Sequence, residues 1–256
     1  RQIVDNSLYD GGNVFIDTIN GTAGTVIDTN GTEFNPSNNI ADATTIAIGK
    51  GLHSFKIRNG SSFVLAQDYD GYDFIGYSWA IDLGGRNVTN CEFVGAACSG
   101  ICTGTNIVFD GGYLDTSTIS PATFRNSTLR GTLTLSAGDY VFMGGGGGTL
   151  TLDYGVAVVA TTVRMHSVSS GVIVQNLQAG DTFAFNGLGL ANLTHAGNTG
   201  GSVFLAGNIN RVGTPDGVTI AESARYSVTQ PVASVTGNVG GNVVGSVGSV
   251  TAAVTI

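Results

Sequence analysis

Between residues 52 and 228 the chain keeps returning to one phrase, an apolar pair spaced by two residues and closed by a polar turn. Phe63/Leu65, Cys91/Phe93, Ile107/Phe109, Leu133/Leu135 and Tyr140/Phe142 begin the series. Leu150/Leu152, Val163/Met165, Val172/Val174, Phe183/Phe185, Leu188/Leu190 and Val203/Leu205 continue it. Successive side chains of a strand point to opposite faces, so each pair places two side chains on one face. Asp110-Gly111-Gly112, Ser169-Ser170-Gly171 and Asn198-Thr199-Gly200-Gly201 lie between the pairs. Gly and Asn accept the positive φ that tight turns demand.

Short strands closed by tight turns fold as sandwiches, barrels or solenoids. Here the strands read as three or four residues long and persist without longer alternating runs, which favours a β-solenoid; a β-sandwich is the alternative. The phrases "NVTNCEFVGA", "GTNIVFDGGYLD" and "ATFRNSTLRGTLTL" each set a strand beside an Asn or Gly corner, as stacked coils require. One segment reads differently. In "NPSNNIADATTIAIGKG" (35–51), Asn38 or Asn39 is placed to cap a helix whose Ile40, Ala43, Ile46, Ala47 and Ile48 fall near one face. Gly49 or Gly51 would stop it. Such a helix would seal the open end of a solenoid. The organisation expected is therefore an extended segment over 1–34, a capping helix over 35–51, a solenoid over 52–230 and a Gly/Val stem over 231–256.

That stem, SVTGNVGGNVVGSVGSVTAAVTI, carries no charge. Its glycines do not fall at every third place, so it is not collagen. Val235, Val239, Val243 and Val247 recur every four residues, an even spacing that keeps them on one face of an extended strand, with Gly237, Gly241 and Gly245 between them. With Val250 and Val254 they form the candidate oligomerisation residues, each valine filling a neighbouring chain's glycine notch. The chain opens on Arg1-Gln2-Ile3-Val4 and stops inside this repetitive run, as expected of a segment of a longer polypeptide or a processed product.

The order "VFIDTINGTAGT", "NPSNNIADATTIA", "GLHSFKIRNGSSFVLA" and then short strands resembles the start of right-handed parallel β-helix domains, more narrowly those of phage tail-fibre and tailspike-type virion proteins. The closing "VTGNVGGNVVGSVGSV" is similar to the Gly/Val repeats of phage appendage proteins. The resemblance implies a homotrimeric virion component that works outside the cell. Its implied partners are itself, other virion proteins and host-surface polysaccharide. Two other readings stand beside it: a polysaccharide-degrading tailspike, and a secreted bacterial adhesin or filament subunit.

Charge and motifs narrow the chemistry. A formal net charge of −8 without a basic run gives no footprint for nucleic-acid phosphates. No run of about 18 apolar residues would form a membrane-spanning helix. Cys91, Cys98 and Cys102, with His53, His166 and His195 scattered, lack zinc-site spacing and read as core thiols; no metal or cofactor is expected. No GxSxG elbow occurs, and Gly144 to Gly148 lack the Lys-Ser/Thr of a phosphate loop, so this run reads as a crowded corner or a bulge. Glycosidases place two carboxylates about the scissile bond. The densest acidic cluster, Asp68, Tyr69, Asp70, Tyr72 and Asp73 with Tyr77 close behind, is the candidate glycan-binding set. Its plainer reading is a polar turn. A second set, Asp110 and Asp115, flanks Gly111-Gly112-Tyr113. Binding or structure outranks catalysis, and no catalytic residue is assigned.

Overall fold

The computed structural model describes residues 8–155 and 160–222. The valine stem, Val235 to Val254, lies outside the described residues. The chain is all-β, a parallel solenoid of about 9 turns with one short helix. Strand pairings throughout are parallel, including those from Asn13–Ile16 to Ser54–Ile57 and from Ser202–Val212 to Thr219–Glu222. A β-sandwich is built on antiparallel sheets, so that alternative falls.

One buried column shows how the coils stack. Val14, Phe55, Phe74, Phe93, Phe109, Phe124, Phe142, Met165, Phe185 and Leu205 are successive register partners, and all are buried. From Phe74 to Phe142 the rings stack near-parallel, with centroids 4.9, 5.1, 5.2 and 4.5 Å apart. Adjacent strands in a sheet lie about 4.8 Å apart, so one aromatic per coil falls at stacking distance without adjustment. Each such pair adds about 0.5–1.5 kcal/mol beyond area burial. A second column runs Phe63, Ile81, Cys98, Leu114 and Leu129. A third carries Cys102, Ile119 and Leu135. All three cysteines are buried free thiols, as their reading as core residues requires.

The strands are longer than their apolar pairs predict. Thr161–Gln175 and Glu92–Thr103 are continuous strands that bend from one face to the next. Single positive-φ residues make the bends, among them Ser167 and Gly95. The ladder register shifts only locally beside them, between His166 and Val168 and between Ile75 and Trp79. Such a bend also reverses the inward phase. Val163 and Met165 point inward before Ser167, and Val168 and Val172 after it, whereas Phe183, Phe185, Ala191 and Leu193 keep a single phase through Gly187 and Gly189. Leu188 and Leu190 are therefore exposed, contrary to the alternation read from their sequence. The glycine run is a crowded corner. A Cβ on Gly146, whose φ is +140°, would lie 1.8 Å from the Ser169 carbonyl oxygen of the next coil.

The helix spans Ile40–Lys50. Asn39 caps it, its Oδ1 accepting from the Asp42 N–H at 2.8 Å, and Gly51 ends it in the left-handed region. Its buried face covers the start of the column, with Ile46 and Val14 converging on Gly31 and Thr44 sharing a 2.8 Å hydrogen bond with the Tyr69 hydroxyl.

Polar groups close the later corners from inside. Buried Asn198 accepts from the Leu177 N–H and donates to the Val174 and Leu193 carbonyls. Buried Asp181 accepts from the Thr161 N–H at 3.0 Å and the Gln178 N–H at 2.8 Å. Burial raises its pKa, and the two backbone bonds only partly oppose that. A raised folded value favours the protonated form in the fold. The contribution of this group to stability is therefore full below the unfolded value of about 3.9 and is lost as pH rises through the raised value. Thermal unfolding of Asp181→Asn, measured from pH 3 to 7, is expected to lack this component, so its gap from the parent changes across the acid side of that range. A gap constant with pH would show that Asp181 does not titrate there.

Candidate functional site

Among the described residues of the coiled body Tyr77 is the most exposed aromatic, 80% accessible at the bend between two faces. Ser78, with φ 54°, makes that bend. Trp79 then folds inward beneath it, stacks on Phe63 at 5.6 Å and donates its Nε1–H to the Val94 carbonyl at 2.9 Å. The next coil offers only Gly95 and Ala97 at this level, and the one after rises again in Tyr113. Tall, short and tall side chains on successive coils make a groove of about 390 Å³. Tyr77, Ser78, Trp79, Ala80, Gly95, Ala97, Gly112 and Tyr113 line it.

Glycine on the middle coil and beside Tyr113 is enforced by the backbone. A Cβ on Gly95 would lie 2.2 Å from the Gly76 carbonyl oxygen, and one on Gly112 would lie 2.0 Å from that of Ala96. Tyr113 is braced from behind. The Arg130 guanidinium sits 3.9 Å from its ring centroid and pairs with Asp115 at 3.4 Å. The ion pair alone, being exposed, contributes little. The cation over the ring restricts the tyrosine at one face and leaves Arg130 outside the groove lining.

The acidic cluster divides among three places. Tyr69 is buried, packed edge-on against Phe55 and Phe74, and burial pushes its hydroxyl up to about 12. Tyr72 stacks on Phe55 at 5.5 Å and packs at a tilt against His53 at 4.8 Å. Tyr69 closes the core under the helix and offers no platform to a glycan, whereas Tyr72 packs half-buried against the same core. Asp68 accepts from the Asn87 N–H. Asp70 accepts from Asn90 Nδ2, and Asn90 in turn accepts from Asn106 Nδ2, so Asp70 begins a polar ladder up one corner. Asp73 is exposed on the strand Asp73–Asp82. Tyr77 alone of the six reaches the groove. Its partner Tyr113 belongs to the second acidic set, and Asp115 of that set steadies the arginine behind it.

Other reactive groups have structural roles. Burial raises the Cys91 thiol to about 11 and that of Cys102 to about 12, and raises Cys98 as well, which removes thiolate chemistry. Asp181 is spent on two backbone N–H groups. Among the described residues no helix is long and apolar enough to cross a membrane. A second hollow, of about 340 Å³ beside Phe185, Phe204 and Glu222, abuts the limit of the described residues.

The fold and groove define a parallel β-solenoid with an uncharged aromatic cleft on one edge. No family model matches the chain, nor does any curated protein or solved structure.

Proposed function

We propose that this chain is a structural component of a phage virion appendage, a tail fibre, spike or head fibre, that assembles as a homotrimer and attaches to host-surface glycan through the Tyr77–Tyr113 groove. The groove carries the reading. Two accessible tyrosines stand above a small-residue floor on a body whose every turn is pinned by parallel ladders. Sugars present C–H faces to aromatic rings and hydroxyls to polar edges, and a groove already formed pays little ordering cost on binding. Because the walls rise from strands, they need no rearrangement to receive an extended chain. The double variant Tyr77→Ala/Tyr113→Ala should lose about tenfold or more of the affinity for host-surface polysaccharide, with far-UV circular dichroism unchanged. Unaltered binding by this variant would put attachment elsewhere. New reducing ends after incubation with the parent protein would move the function to hydrolysis.

The trimer rests on the valine stem. The even spacing of valine in its sequence supports association with neighbouring chains, because the run contains too little apolar surface to form its own core. Light scattering should show the full chain as a trimer and the chain lacking residues 234–256 as a looser or monomeric species that keeps the solenoid's spectrum. A truncated protein that stays fully trimeric would place association on the solenoid.

A further inference from the structure

The groove's lining has a property that reaches beyond attachment. Among its eight residues there is no Asp, Glu, Lys, Arg or His. The nearest cation described behind Tyr113, Arg130, is already committed to Asp115 and to the tyrosine ring. The chain as a whole carries −8. A uronate or sialate placed here would find no counter-charge and would approach against the field of the whole protein.

We infer, on the reading of the groove as a glycan site, that it selects a neutral hexopyranose and excludes anionic polysaccharide. Spacing fits that ligand. Tyr113 pairs with Ala97, and Ala97 with Ala80, three residues beyond Tyr77 across the Ser78 bend, so the two tyrosines stand two coils apart and offset along the strand. Two strand spacings are about 10 Å, and the offset along the strand lengthens the span between the rings. A sugar ring lying between two side chains at van der Waals contact of about 3.5–4 Å on each side needs about 7–8 Å. The groove therefore has room for at least one pyranose between its walls, and the neighbours of that sugar in a polymer extend along the open ends. Polar recognition comes from uncharged groups: the two phenol hydroxyls and the Ser78 hydroxyl, all able to donate to and accept from sugar hydroxyls.

The test uses the full chain on immobilised neutral polysaccharides (dextran, mannan and galactan) and anionic ones (polygalacturonate and hyaluronan), at about 20 and 300 mM NaCl. The parent should bind at least one neutral polymer, with affinity unchanged by salt, and bind the anionic ones at least about tenfold more weakly. Tyr77→Ser should weaken the neutral interaction about tenfold. Salt-sensitive binding of an anionic polymer that Tyr77→Ser abolishes would overturn neutrality while leaving the groove a glycan site. Neutral binding indifferent to Tyr77→Ser would remove the groove from recognition. Failure to bind any polymer of either class would overturn the glycan reading itself.

Discussion

Replacing Phe109 with alanine is expected to destabilise the solenoid by about 3–5 kcal/mol, the cost of a large cavity in a close-packed core. Phe109 is 3% exposed and stacks on Phe93 and Phe124 at 5.1 and 5.2 Å, so its removal breaks two ring contacts and interrupts the column midway. The leucine variant separates packing from aromaticity. Met165 and Leu205 fill equivalent rungs higher in the column, so Phe109→Leu should recover most of the loss and leave the stacking share of about 0.5–1.5 kcal/mol per pair. Phe34, 95% exposed, is the control, and its alanine variant should fall within about 0.5 kcal/mol of the parent. Each coil of a solenoid rests chiefly on its neighbours, so unfolding need not be all-or-none. Urea unfolding should therefore be followed together with amide exchange of residues 93–142. A loss under about 1 kcal/mol with unchanged exchange there would show the column relaxing around the cavity.

Two adjacent glycines give the second large effect, and they should behave differently. Gly111 and Gly112 both have positive φ, 68° and 65°. A Cβ at Gly111 meets nothing closer than 3.8 Å, so Gly111→Ala pays only the left-handed backbone cost of about 1–2 kcal/mol. Asparagine tolerates that conformation, as Asn126 does at the matching corner of the next coil. A Cβ at Gly112 lies 2.0 Å from the Ala96 carbonyl oxygen and 2.7 Å from its carbonyl carbon. Backbone atoms locked in a ladder cannot move aside, so Gly112→Ala adds overpacking of about 1–3 kcal/mol to the same backbone cost. Because Gly112 precedes Tyr113, this variant should also weaken glycan binding, whereas Gly111→Ala should leave it intact. Equal stability of the two variants in urea would show that the coils separate to admit the methyl.

Much of the architecture is readable from local pattern. Val163/Met165, Val172/Val174 and Leu150/Leu152 point inward as their spacing demands, because the pleat alternates side chains whatever lies around it. Asn39 and Gly51 bound the helix for reasons contained within a few residues. Coil length is another matter. Register partners are 15 residues apart from Phe109 to Phe124 and 23 apart from Phe142 to Met165, so no fixed period marks the repeat. The phenylalanine column is hidden for that reason, although each of its members is plain in the sequence.

The groove depends on the same hidden quantity. Tyr77 and Tyr113 line one groove because the two intervening turns return the chain to the same edge. A residue more or less in either turn would move Tyr113 to another face. Tyr69 and Tyr72, beside Asp68, Asp70 and Asp73, look as available as Tyr77, yet the helix and Phe55 enclose Tyr69, and Tyr72 lies half-buried on Phe55. Sequence by itself determined what short-range physics controls: strand alternation, glycine and asparagine corners, the helix and its caps, and the absence of a basic footprint. Tertiary structure decided which distant residues became neighbours, since stacking sums over coil lengths that no local rule sets.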